Sequence, residues 1–385
     1  MAVYDRIIEN LTFCIGNLYL FFRIIHVYFK NEPLYSVTVK MLQSIAEVIP
    51  NEIYHIYNSE NYMRRCVDSL LVGGEDVEIL IIDDGSSDRT GAIADEYEML
   101  YPNIVKAVHK PNGGHGSGVN KGLELAHGLY YKVVDSDDWF DRDAYLKMLD
   151  KIKSFEVAQF PDLIICNYVY DHLDEGIQKP MNYRNVFPTE KMCNWNTIGH
   201  FHPSQYLIMH ALMFQTKVLR QSGVKLPEHT FYVDNLFSYQ PLPYAKNLYY
   251  MDIDLYHYYL GREDQSVNEK VLMKRIDQQI RVTELVAKSV DLREVKKMYP
   301  KLAVYMMRNI SIMLSISSIH LLLIKTEEAF QKRKRMWEQV KDYDRILYYR
   351  LRCSTLSGLT YLPGRLGGKI TVGGYRMARK IYQFQ

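Results

Sequence analysis

Apolar positions along the chain follow two periods that alternate. From Glu60 to Leu71, Tyr62, Met63, Cys66, Val67, Leu70 and Leu71 recur at helical spacing, and Gly73-Gly74 stop the run. Val77–Ile82 is then a short unbroken apolar segment, the mark of a strand covered on both faces. Thr90–Leu100 predicts a second helix, Ile104–His109 a second strand, Val119–His127 a third helix and Tyr130–Val134 a third strand. Arg142–Ser154 predicts a helix and Asp162–Tyr170 another apolar strand. Alternation at this spacing implies an α/β fold, with a mostly parallel sheet and right-handed crossovers.

Beyond Tyr170 the pattern is less regular. Residues 171–205 read as a polar, aromatic loop, Leu207–Phe214 and Leu248–Tyr258 as strands, and Lys217–Ser222 as a short helix closed by Gly223. From about Asn268 the period is helical. The organisation expected is an apolar extension over 1–40, an α/β domain over 41–267, a helical region over 268–330 and a tail over 331–385.

Composition narrows the class. Apolar residues make up 48% of the 385 and charged residues 24%, which excludes a disordered or fibrous chain. The formal net charge is only +2, but it is unevenly spread. Residues 331–385 hold 13 Lys/Arg against 3 Asp/Glu, so the tail carries +10 and the rest of the chain −8. Five scattered cysteines (Cys14, Cys66, Cys166, Cys193, Cys353) form no Cys-x-x-Cys pair, which fits a reducing, cytoplasmic setting. Asp5 and Glu9 beside Arg6 do not make a secretory leader. Leu11–Phe29 is long enough to cross a bilayer, but Asn17, Arg23 and His26 make a buried or interfacial helix the better expectation. Ile310–Ile324 is shorter and serine-rich, and reads as a buried helix.

Two predicted strands end in carboxylates: Asp83-Asp84-Gly85-Ser86-Ser87-Asp88, and Asp135-Ser136-Asp137-Asp138 followed by Trp139. Parallel sheets bind ligands at the carboxyl ends of their strands. Crowded carboxylates suit a hard divalent cation such as Mg2+ or Mn2+, which can also bridge nucleotide phosphates. Helix capping explains one of these acids, or two, but not the set. The glycine-rich turn Asn112–Gly118 resembles a phosphate cradle, yet lacks the Gly-Lys-Ser/Thr ending of a P-loop.

Tyr57-Asn58, the two acidic clusters, Asn112-Gly113-Gly114 and Asn120-Lys121-Gly122 occur in the order seen in family 2 glycosyltransferases of the GT-A fold, which the chain resembles over Tyr57–Asn268. The resemblance implies transfer of a sugar from a nucleotide-diphosphate donor to a saccharide or lipid-linked acceptor, with inversion and with Mg2+ or Mn2+. It implies that Asp84 meets the nucleoside base beside Asp83, that Asp137 faces the ribose, and that Asp138, with Asp137, holds the metal. Asp135 would support them from behind or share the metal as a further ligand, and Asn112 and Lys121 would approach the donor. Phe231-Tyr232-Val233-Asp234-Asn235 stands where the family carries its general base, with Asp234 as the carboxylate; Arg262 lies in a segment resembling a loop that closes over the diphosphate.

One departure stands out: His55 occupies the place of a family proline, and Asn51–Ile56 separate Val48-Ile49-Pro50 from Tyr57-Asn58, as an insertion or an unusual first strand. The basic tail suits peripheral contact with the inner face of a membrane, or a solvated face packed on the acidic body; the rest of the chain gives no support for nucleic-acid binding. A sugar nucleotidyltransferase would carry a glycine-rich Arg/Lys signature near the first strand, which is missing. A catalytically degenerate, membrane-bound scaffold is the other alternative.

Overall fold

A computed structural model of the chain describes residues 50–385, except 157–158, 174, 204, 262–268, 363 and 383–385. The apolar stretch at 11–29 and Arg262 lie outside the described residues.

The first strand, β1 (Pro50–Ile56), occupies the middle of the sheet. Proline is tolerated as the first residue of a strand, and β1 runs without insertion straight into Tyr57-Asn58. β1 pairs in parallel with β2 (Glu78–Asp83) on one side and β4 (Tyr130–Asp135) on the other, and β3 (Val105–His109) pairs with β2. The register sets Ile56 opposite Asp83 and His55 opposite Asp135. Both acidic clusters therefore leave the sheet at one edge, on either side of the β1 turn.

The helices are α1 (Met63–Leu71), α2 (Thr90–Leu100), α3 (His115–Leu125) and α4 (Arg142–Lys153). α1 buries Met63, Cys66, Val67 and Leu70, the face its spacing predicts. α3 begins earlier than the pattern suggested, because Gly114 takes a left-handed φ of +80° and turns the chain directly into His115.

The rest of the sheet is mixed. β9 (Leu212–Gln215) lies antiparallel between β4 and β6 (Leu163–His172). β10 (Leu248–Tyr259) runs parallel to β6, and the two-residue β5 (Trp139–Phe140) pairs with β10. Two expectations change here. Met209–Ala211 form a single 3-10 turn, so the expected Leu207–Phe214 strand is confined to β9. The expected loop over 171–205 contains β7 (Ile177–Met181) and β8 (Met192–Cys193), edge pieces pairing with β6 and β10.

After α5 (Thr216–Ser222) and α6 (Asp234–Phe237), helices dominate: α7 (Glu269–Lys274), α8 (Ile276–Ser289), α9 (Leu292–Met298), α10 (Pro300–Ile324), α11 (Glu327–Tyr343), α12 (Arg345–Ser354), α13 (Leu356–Thr360) and α14 (Gly364–Tyr382). α10 is apolar and long enough to span a bilayer, yet 56% of that stretch is buried. It packs against α8, α9, α11, α13 and α14, as the buried helix expected there. Leu302, Met306, Ile310 and Leu314 are fully enclosed, each contributing roughly 1.5–3 kcal/mol of burial. Ile49–Gln385 forms one compact unit.

Part of the basic run at 332–335 belongs to this packing. Arg333 is buried, donates to the Thr360 carbonyl (2.5 Å) and lies over the Tyr361 ring. Lys332 pairs with Asp277 and Glu328.

Candidate active site

The β2 end is built by its two aspartates. Asp83 is buried; one oxygen accepts from Ser86 N (3.0 Å) and the other meets His109 Nδ1 (2.9 Å). His109 Nε2 meets Asp95 (2.8 Å). With a carboxylate on each nitrogen, Asp83 foremost, the imidazole is held protonated above its ordinary range.

Asp84 is entirely out of solvent. Its carboxylate accepts from Lys110 Nζ (2.5 Å), Gly113 N (2.9 Å) and Gly114 N (2.7 Å). Asn112 donates to the Asp84 carbonyl (3.0 Å). The glycine-turn amides that a phosphate cradle would offer to a ligand are thus turned onto Asp84, and the turn is a wall of the site. Asn58, in a left-handed conformation, accepts from Ser87 N (2.9 Å), and the Ser59 and Ser136 hydroxyls meet at 2.7 Å. The β1 turn is therefore bonded to both acidic clusters.

The β4 end forms a tighter group. Asp138 is buried and accepts from the Tyr256 hydroxyl (2.5 Å) and from Tyr259 N (2.8 Å). Tyr256 also accepts from Asp135 N (3.1 Å). Asp135 faces His115 Nε2 at 3.2 Å and His210 Nε2 at 3.6 Å. One donor atom from each of Asp135, Asp138 and His210 lies within 4.8 Å of the others. Two ionised carboxylates at that separation repel by on the order of 3–4 kcal/mol at an effective dielectric near 20. Burial, then the charges of Asp137 and Asp135, raises Asp138 far above the usual carboxylate range. Burial pushes His210 down to about 4, so its ring is neutral, and its Nδ1 is buried with no hydrogen-bond partner. Two facing carboxylates and a neutral imidazole form a donor set that suits a divalent cation.

The structure brings Asp138 together with Asp135 and His210, and leaves Asp137 beside this group. The Asp137 carbonyl accepts from Arg65 (2.7 Å), whose guanidinium stacks 3.8 Å over Trp139. His257 stacks on Trp139 at 5.1 Å, so the tryptophan is held firmly within the turn.

Asp234 opens α6, after Tyr232 with φ +66°. Asp234 is half-buried. Burial raises its pKa, the charge of His115 opposes the rise, and Asp135 adds to it. His115, on the first turn of α3, is subject to opposite influences: burial lowers its pKa, but Asp135, helped by Asp234 and Asp84, more than offsets that and raises it. Tyr206 and Tyr258 lie within electrostatic reach of Asp234.

Lys121 is not drawn in: its ammonium pairs with Glu124 one turn along α3 (2.9 Å). Sequence reasoning missed Lys110, His210 and Tyr256. Their only signal was polarity within or beside apolar strands, as with Lys132, buried inside β4, whose ammonium donates to the His210 carbonyl (2.6 Å).

Residues 53–213 match the family model described as glycosyl transferase family 2. "Putative glycosyltransferase EpsH" of Bacillus subtilis (strain 168) is 30% identical over 53% of this chain and 58% of its own length. The poly(ribitol-phosphate) beta-glucosyltransferase of Bacillus spizizenii is 27% identical over 57% of this chain and 32% of its own. The chain thus spans less than two thirds of the length of these relatives. In three dimensions it is similar to S. aureus TarS 1-349, solved in complex with UDP-GlcNAc, with a TM-score of 0.59 and 16% identity over 87% of this chain and 91% of that one. That likeness shows the GT-A fold.

Proposed function

We propose, from the match of residues 53–213 to the family 2 glycosyltransferase model, that the protein transfers a sugar from a nucleotide-diphosphate donor to a saccharide or lipid-linked acceptor, building a surface polysaccharide or a teichoic-acid-like polymer. The observation that carries the proposal is the convergence of Asp135, Asp138 and His210 with the separately supplied Asp234 at one edge of the sheet.

In this reading the nucleoside lies against the β1 and β2 ends, whose floor Asp83 and Asp84 shape. Asp137 faces the ribose. Asp138, Asp135 and His210 would hold Mg2+ or Mn2+, which supplies positive charge against the diphosphate. Asp234 accepts the proton of the acceptor hydroxyl as that oxygen attacks the anomeric carbon from the face opposite the departing diphosphate, so the configuration inverts. A carboxylate raised by burial is a stronger base near neutral pH than a solvated one. The Asp135–His115 contact restrains an acid within electrostatic reach of the base.

The test separates binding from chemistry. Asp234→Asn should abolish transfer while nucleotide-diphosphate binding stays within about threefold of wild type; Asp138→Ala should lose metal-dependent nucleotide binding itself. Full transfer by Asp234→Asn, or metal-dependent binding retained by Asp138→Ala, would sink the corresponding assignment.

A further inference from the structure

A helix on the surface of a water-soluble domain buries its apolar stripe and exposes its polar one. α14 does the reverse. Its packed side is Gly367, Gly368, Thr371 and Tyr375. A Cβ on Gly368 would come within 3.2 Å of Leu322 on α10, Thr371 donates to the Leu359 carbonyl (3.2 Å), and the Tyr375 hydroxyl donates to Glu269 (2.9 Å). Its outward side carries Leu366, Ile370 and Met377, which are 72%, 57% and 62% exposed. At 100° per residue these three fall within about 40° of one another. Exposed Lys369 and Arg376 border the stripe. Neighbouring α13 adds Leu356 and Leu359, both also more than half exposed. From Arg345 to Gln385 the sequence has eight Lys/Arg and no Asp/Glu.

We propose that the face formed by α13 and α14 docks on an anionic lipid bilayer, the apolar side chains entering the headgroup boundary and the cations meeting acidic headgroups. Charge selects this occupant. A second copy of the same face would set cations against cations across a two-fold axis, and nucleic acid would leave the apolar stripe in water. The lipid-facing element is thus distinct from the basic run at 332–335, part of which is consumed in packing. The inference is independent of the proposed chemistry, because docking needs neither donor nor metal.

The experiment is sedimentation of the full chain with vesicles of phosphatidylcholine alone or with phosphatidylglycerol added. The wild type should bind the phosphatidylglycerol vesicles preferentially. Leu366→Gln/Ile370→Gln/Met377→Gln and Lys369→Glu/Arg376→Glu should each weaken that binding about tenfold or more. Unchanged circular-dichroism melting would establish that both variants fold. Failure of the wild type to bind, equal binding to both vesicle types, or wild-type binding by the folded variants would overturn the proposal. So would a wild-type dimer that the apolar variant converts to a monomer.

Discussion

Asp84→Asn isolates what the buried carboxylate at the β2 end does. The substitution preserves shape but removes the charge and one acceptor oxygen. If the remaining oxygen stays on Lys110 and Gly113, the new amide NH2 faces the Gly114 N–H, a donor against a donor. One backbone N–H then loses its partner, costing about 1–3 kcal/mol, and the mostly buried Lys110 loses its counter-charge. Breaking a buried ion pair from one side typically costs about 3–5 kcal/mol, and we expect a loss in that range. Unfolding entropy near 2.1 cal/mol/K per residue over the roughly 340 residues of Ile49–Gln385 converts it to a fall in Tm of about 4–7 °C. The assay is thermal unfolding followed by far-ultraviolet circular dichroism, supported by urea titration. Asp84→Asn/Lys110→Met should recover about 1 kcal/mol or more of the loss, because the stranded ammonium is gone. A single variant melting within about 1 °C of wild type, or a double variant showing no recovery, would refute the view that Asp84 acts through the glycine turn.

His210→Phe keeps the ring against Tyr256 (4.4 Å) but removes both nitrogens; Mn2+ affinity measured by electron paramagnetic resonance should fall about tenfold or more, and unchanged affinity would remove His210 from the donor set. His109 has its pKa raised in the fold by Asp83 and Asp95, so its contribution to stability is complete below its unfolded value and is lost as pH rises through the higher folded value; the Tm gap between wild type and His109→Gln should therefore be widest in mild acid and narrow above neutrality, and a gap that widens with pH would contradict the pairing. Leu314→Ala, at a fully enclosed position on α10, should destabilise by about 2–5 kcal/mol in urea titration, whereas a loss under about 1 kcal/mol would mean that α10 does not form the core of the helical region.

Much of the α/β portion was legible in the sequence because its signals are local. The apolar runs ending in Asp83 and Asp135 are covered on both faces, so they read as strands without knowledge of their neighbours. β1 was harder: its polar Asn-Glu and Tyr-His lack that continuity, and its place in the sheet comes from pairing with two neighbours at once. The helical tail was legible as helix, but its orientation was not, since periodicity locates a stripe without saying which side faces protein.

Local pattern alone placed carboxylates at the carboxyl edge of a parallel sheet and Asp234 on a separate segment. How those acids divide is a matter of long-range packing. Asp83 and Asp84 turn inward onto His109, Lys110 and the glycine turn, while Asp135 and Asp138 face His210, which arrives on the 3-10 turn leading into β9. The physical reason is range. Strand and helix periods follow from the steric preferences of neighbouring residues. Hydrogen-bond partners, burial and the resulting proton affinities depend instead on groups dozens of residues apart, which strand register alone brings within a few ångströms.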